Sequence, residues 1–218
     1  NSINKIFNKY NILCVVNFAA ETHVDNSINN PDIFIKTNIL GTYNLLKVCL
    51  NKWTKENKIM QSRFLQVSTD EVFGSIKKGK FKESSRYLPN SPYSSSKASA
   101  DLIVRSFNKT YNLNTVITHS SNNFGPRQHT EKFIPKIINS LENKTKIPVY
   151  GKGLNVRNWL YVSENSRALY QILLKGKSGE NYNIGSDIEL TNTQLIKKIY
   201  KIYKKLKNNN FNYENLIS

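Results

Sequence analysis

Cysteine is almost missing from these 218 residues: Cys14 and Cys49 are the only two, both inside apolar stretches. Neither has the spacing of a redox or zinc motif, so buried thiols in a reducing compartment are expected. Histidine is as sparse. His23, His119 and His129 lie far apart with no ligand-like neighbours, and no metal site is expected. No apolar run is long enough to cross a bilayer and no signal peptide opens the chain, which points to a cytoplasmic protein without a membrane partner. Acidic residues are in deficit, 15 against 32 Lys and Arg, for a net charge of +17. Such a field would suit nucleic acid. The charges are scattered among an excess of Asn rather than gathered into a stripe, so a basic nucleic-acid-binding module ranks below an enzyme whose anionic substrate profits from the same field. The single methionine is Met60 and the first residue is Asn1, from which the 218 residues are expected to be a piece of a longer chain.

What is present is alternation. "ILCVVNF" (12–18) reads as a strand buried on both faces, and apolar residues then recur at three- and four-residue steps from Pro31 to Trp53, as in a helix. "RFLQVS" (63–68) is a second strand, about 92–111 a second helix, and "TVITHS" (115–120) a third strand. This order predicts an α/β, Rossmann-like, doubly wound parallel sheet. Beyond Asn123 the elements shorten: a helix near 131–143, a brief strand at "IPVYG", a helix at about 164–175, a strand at "NYNIG", and a last helix opened by the capping-box pattern Thr191-Asn192-Thr193-Gln194. Residues 1–120 are read as a sheet domain and 121–218 mostly as a smaller lobe.

Ligands of open α/β sheets bind beyond the carboxyl ends of the strands. The three exits here are "AAETHVD", "TDEVFG" and "SNNFGP". The second places Asp70 and Glu71 side by side after Thr69, and two neighbouring carboxyls in different environments can serve as acid and base. "YSSSK" sets Tyr93 and Lys97 four apart at a helix start, hence on one face. An ammonium beside a phenol favours the phenolate, so Lys97 is expected to lower the pKa of Tyr93.

Together these stretches resemble the extended short-chain dehydrogenase/reductases that act on nucleotide sugars. "FAAETHVDNSI", "STDEVFG", "NSPYSSSKASAD", "SNNFGPRQ", "IPVYGKGLNVRNWLYV" and "GENYNIG" follow one another as in dTDP-glucose 4,6-dehydratases, over nearly all of 12–192. The resemblance implies an NAD cofactor and a nucleotide-sugar substrate, with Thr69, Asp70, Glu71, Tyr93 and Lys97 catalytic. It further implies cofactor contacts at Phe18, Ala19, Ala20, Glu21, Thr22, Thr37 and Asn123, besides Tyr93 and Lys97. Substrate contacts fall on Thr22, Thr69, Asn122, Lys132, Phe133, Pro148, Val149, Tyr150, Arg157 and Asn192, of which Lys132 and Arg157 suit a diphosphate. Trp159 is read as packing. The acidic pair favours dehydration over simple epimerisation, which needs no second acid and base. A UDP-glucose dehydratase or another epimerase/dehydratase of the superfamily is the alternative.

One expected feature is lacking. The nine glycines form no G-x-G-x-x-G fingerprint after a strand. From this, the 218 residues alone are expected to bind NAD weakly and to be inactive, and the full-length protein to be active; the resemblance further implies a homodimer, for which the 31–53 and 92–111 helices are the candidates.

Overall fold

The structure is a computed structural model that describes residues 2–76, 78–149, 151–207 and 213–217, with the backbone alone at 213 and 215. In chain order, α1 (Ser2–Lys9) leads into β1 (Cys14–Asn17), α2 (Val24–Asn29) and α3 (Pro31–Phe34). A π-helical segment, Ile35–Leu40, joins α3 to α4 (Gly41–Lys55). Then come β2 (Arg63–Thr69), a 3₁₀ turn (Asp70–Phe73), α5 (Pro92–Tyr111), β3 (Thr115–Ser120), β4 (Asn122–Phe124), α6 (Phe133–Asn143), β5 (Val156–Tyr161), α7 (Val162–Lys175), β6 (Asn181–Ile184), β7 (Glu189–Thr191), α8 (Asn192–Lys207) and a 3₁₀ turn at Tyr213–Leu216. The chain divides into two compact units, 1–120 with 166–184, and 121–165 with 185–218.

The first unit is built on a parallel sheet of order β1-β2-β3-β6, flanked by helices, and is the Rossmann-like α/β class expected. β3 is buried at all six positions, as its β-branched run requires. Its core gathers Phe7, Leu46, Trp53, Phe64, Val104, Phe107, Leu113 and Ile117. Trp53 is fully buried and its indole N–H donates to Ile12 O at 2.8 Å. Polar side chains inside the sheet are paired across it: Asn17 Nδ2 donates to Gln66 Oε1 (2.9 Å) and Thr42 Oγ1 (3.1 Å). α5 starts as its sequence dictates, with Pro92 at the first turn and a reciprocal Ser91/Ser94 capping box.

The second unit holds a three-stranded sheet in which β5 pairs parallel with β4 and antiparallel with β7. α6 and α8 enclose Ile137, Leu141, Ile147, Trp159, Leu195 and Ile196. Trp159 is therefore packing, as read. The cap of α8 is also as read: Thr191 N donates to Gln194 Oε1 (2.8 Å) and Gln194 N to Thr191 Oγ1 (3.1 Å).

Three expectations change. Among the described residues "IPVYG" forms no strand, only a bridge of Ile147 to Ile217, because Pro148 offers no N–H to continue a ladder. The single helix from Pro31 carries a π-turn, with Gly41 N–H bonding back to Lys36 O. Cys14 is exposed rather than buried, since β1 is the last strand on its side of the described sheet; Cys49 is fully buried.

Candidate active site

In the first unit, two strand exits and one helix start supply the chemistry. At the end of β2, Thr69 caps the turn Asp70–Phe73, its Oγ1 accepting from Glu71 N (3.3 Å) and lying 3.4 Å from Asp70 Oδ1. Thr69, Asp70 and Glu71 are all half-buried. Tyr93, in the first turn of α5, is buried against the edge of Phe34, with ring centroids 6.3 Å apart. A hydrogen bond links its hydroxyl to Thr69, and the Glu71 and Asp70 carboxylates act on it electrostatically. The structure thus brings Thr69, Asp70, Glu71 and Tyr93 around one phenol.

Lys97 is one turn further along α5, buried, with Nζ donating to Val67 O at 2.7 Å. Here an expectation is overturned. Lys97 does not draw the Tyr93 phenol down; burial, reinforced by the charges of Glu71, Asp70 and Asp101, pushes it well above its ordinary value. Burial likewise lowers the Lys97 ammonium, an effect Asp101 opposes.

At the end of β1, Phe18, Ala19, Ala20 and Glu21 form a strap held by two amide side chains. Asn17 Oδ1 accepts from Ala19 N (3.2 Å), while Asn38 accepts from Glu21 N (2.8 Å) and donates to Glu21 O (3.0 Å). Phe18, Ala19 and Thr22 are exposed; Ala20, Glu21 and Thr37 are half-buried. Asn38 also donates to Ser96 Oγ at 2.8 Å, tying the strap to α5. Ala19 and Ala20 put only methyl groups on this strap, next to the exposed ring of Phe18.

The second unit carries the other candidates. Asn122 and Asn123 lie in β4 beside Trp159 and Leu160 of β5. Asn123 Oδ1 is buried and, among the described residues, accepts no hydrogen bond. Lys132 caps α6, with Phe133 its first residue. Pro148 is exposed and Val149 half-buried against the core of this unit. Arg157 is exposed on β5 opposite Leu190, and Asn192 opens α8 with its N–H on Asn155 O at 3.2 Å. Tyr150 lies outside the described residues. A lysine at a helix N-terminus is suited to phosphate oxygens, since both present positive charge.

Sequence reading passed over a buried cluster behind Lys97. Asp101 Oδ2 accepts from Ser68 Oγ (2.6 Å) and lies 3.3 Å from His119 Nε2, which is 2.9 Å from the Tyr87 hydroxyl. Its one trace in the sequence is another four-residue step, Tyr93-Lys97-Asp101, on one helix face, a spacing that does not distinguish a buried aspartate from a solvated one.

Comparison with known proteins shows the family. The chain belongs to the GDP-mannose 4,6 dehydratase family, whose model matches residues 1–216. It is 45% identical over 210 residues to a dTDP-glucose 4,6-dehydratase of Haemophilus influenzae, covering 94% of this chain and 62% of that protein. It is 51% identical over 185 residues to the low-salt glycan biosynthesis protein Agl12 of Haloferax volcanii, covering 85% and 57%. The crystal structure of DesIV, a dTDP-glucose 4,6-dehydratase of Streptomyces venezuelae with NAD bound, superposes with a TM-score of 0.86 at 38% identity, covering 97% of this chain and 61% of that one. The chain spans about three fifths of the length of the relatives it matches.

Proposed function

We propose that the whole protein is an NAD-dependent hydro-lyase converting dTDP-glucose to its 4-keto-6-deoxy product, in deoxysugar biosynthesis. The observation that carries this reading is the turn after β2, which sets a hydroxyl, Thr69, and two carboxyls, Asp70 and Glu71, against the Tyr93 phenol. NAD is supported by two features taken separately: Ala19 and Ala20 on the strap after β1 allow close approach of a ligand, and Asn123 Oδ1, which accepts no hydrogen bond among the described residues, is an acceptor suited to a carboxamide N–H. Phe18 to Thr22, Thr37, Asn123, Tyr93 and Lys97 are the residues proposed to hold it. When bound, NAD supplies a two-electron acceptor and donor and, oxidised, a cationic ring.

Tyr93 takes up the proton of the sugar C4 hydroxyl, and Thr69 hydrogen-bonds that oxygen. A ketone at C4 acidifies the C5 hydrogen, which Glu71 removes. Asp70 protonates the departing C6 oxygen, so that water leaves from a neutral group. Glu71 and Asp70 must hold opposite protonation states at that step, which two neighbouring carboxyls can do where their environments differ; the Thr69 hydroxyl stands 3.4 Å from the Asp70 carboxylate. Burial raises the Tyr93 phenol, so positive charge beside it would favour its acting as a base. Lys132, Arg157, Asn122, Phe133, Pro148, Val149, Tyr150 and Asn192 are proposed substrate contacts. The division of labour follows: 1–120 for cofactor and chemistry, 121–218 mostly for substrate.

A homodimer is proposed as well, supported by the exposed apolar side chains of Ile35, Leu40, Tyr43 and Leu102 on the candidate helices. Among the described residues no helix is long and apolar enough to cross a membrane, and no group of three His, Cys, Asp or Glu could hold a metal ion. A cytoplasmic location and the lack of a nucleic-acid partner are part of the same reading. The test incubates the whole protein with NAD and an equal mixture of dTDP-glucose and UDP-glucose, with products read by mass spectrometry. Loss of one water from the dTDP sugar in preference supports the reading. Preference for the UDP sugar changes the base assignment, and absence of any dehydrated product overturns it.

A further inference from the structure

Asp101 and His119 are each 1% exposed, in a part of the first unit that the proposed chemistry does not use. Hydrogen-bonding side chains surround them on several sides. Ser68 Oγ has its hydrogen directed at Asp101 Oδ2 over 2.6 Å, and the Tyr87 hydroxyl also bonds to this carboxylate. His119 Nε2 lies 3.3 Å from the same oxygen and 2.9 Å from the Tyr87 hydroxyl. The imidazole is fixed in place by rings: Phe73 at 4.8 Å and Tyr87 at 5.7 Å between centroids. Phe73 closes the turn that carries Asp70 and Glu71. Hydrogen-bonding groups from β2, β3 and the loop before α5 thus converge on one carboxylate.

That carboxylate stands one turn beyond Lys97 on α5, as Lys97 stands one turn beyond Tyr93. Asp101 Oδ1 is buried and, among the described residues, accepts no hydrogen bond. Lys97 is itself 4% exposed and its one described bond is to the neutral carbonyl of Val67. A buried ammonium satisfied only by a peptide carbonyl loses its proton unless a negative charge stands near.

We propose that Asp101 is a positioning residue for the Tyr93/Lys97 pair: a buried carboxylate, fixed by Ser68, His119 and Tyr87, that holds Lys97 as an ammonium on the helix face it shares with Tyr93. The direction of the electrostatics agrees, since burial lowers the Lys97 ammonium and Asp101 raises it. The other ionisable groups that act on this face are Glu71 and Asp70 from the turn after β2, and Arg105 through Tyr87. From the π-helical segment the group presented is the neutral amide of Asn38. Ser68, Tyr87 and His119 act through Asp101.

The use of Lys97 in catalysis rests on the reading under Proposed function, but its titration does not, so the two fail separately. The experiment follows the Lys97 ¹³Cε resonance against pH in lysine-labelled whole protein without substrate, assigned from the spectrum of Lys97→Met. Asp101→Asn is expected to lower the Lys97 midpoint by about one pH unit or more, the size of effect an adjacent buried charge exerts. An unmoved midpoint in a folded Asp101→Asn protein overturns the proposal, whatever the enzyme assay shows. Where Asp101→Asn does not fold, Lys97→Met/Asp101→Asn decides. Removing both charges together is expected to restore a cooperative melt at or above that of Lys97→Met alone, because one unpaired buried charge is worse than none. A double variant that stays unfolded overturns it.

Discussion

Gly74→Ala tests how tightly the acidic turn is held. Gly74 ends the turn Asp70–Phe73 at φ 82° and ψ −131°, with its N–H on Glu71 O at 3.1 Å. A Cβ there would overlap the carbonyl oxygen of Leu88 and stand 3.2 Å from the carbonyl carbon. That carbonyl cannot swing away freely, since Leu88 N is bonded to Val72 O at 2.9 Å, locking the segment over the turn. The backbone conformation alone costs an alanine about 1–2 kcal/mol, and the overlap with main chain adds about 1–3 kcal/mol. A loss of about 2–5 kcal/mol is therefore expected, a large part of an ordinary domain's stability. Urea unfolding with an unchanged m-value would measure it. Any escape of the turn by about 1 Å carries Asp70 and Glu71 with it, so kcat/KM in the whole protein is expected to fall about 100-fold. Gly151→Ala is the control: φ is 59° but no atom lies within 4 Å of the new Cβ, so about 1 kcal/mol is expected. Equal urea midpoints for Gly74→Ala and its parent would refute the reasoning.

Glu71→Gln in the whole protein is expected to preserve oxidation at C4, seen as nicotinamide reduction in a single turnover, while dehydrated product forms about 10²–10⁴-fold more slowly; normal turnover would remove Glu71 from its role. Trp53→Phe empties part of a fully buried site and leaves Ile12 O without its 2.8 Å donor, so urea unfolding should register a loss of about 2–4 kcal/mol. A loss below the error of the measurement would show that water or repacking replaces the indole. Burial pushes the Cys49 thiol up to about 12, while Cys14 is exposed. At pH 8 iodoacetamide is expected to add once per native chain, at Cys14, and at Cys49 only after unfolding; mass spectrometry that finds two rapid native adducts contradicts the burial of Cys49.

The elements legible in the sequence are those whose local chemistry and tertiary placement agree. β3 runs Thr115–Ser120 and α5 Pro92–Tyr111, as read, because an all-buried β-branched run and a Ser-Pro helix start each leave one solution. β5 was not legible as a strand: Val156 and Arg157 are exposed while Trp159 and Leu160 are buried, so its residues do not alternate. Its partners, β4 and β7, are three residues each and carry no periodic signal. In the site, Thr69, Asp70, Glu71, Tyr93 and Lys97 were legible from motif order and residue chemistry. Asp101 was not, because an aspartate one turn beyond a lysine reads the same on a solvated helix as inside a protein. The pKa of Tyr93 was misjudged for a related reason. Spacing shows the neighbouring ammonium but not the burial and the carboxylates that outweigh it.

The π-turn Ile35–Leu40 has a consequence for how this chain tolerates change in length. An extra residue in one turn rotates everything after it by about 100° relative to an unbroken α-helix, so α3 and α4 run in different phases of one rod. Asn38, inside that slip, is what grips the Glu21 peptide and Ser96 together. Deleting one residue between 35 and 40 would bring the two phases back into step and give a more regular helix. The same repair would turn Asn38 off the strap, or turn α4 off the core that Leu46 and Trp53 fill. The irregularity therefore works as a gear between the strap after β1 and α5, and a chain that straightened it would gain a better helix at the expense of the bed on which the cofactor is proposed to lie.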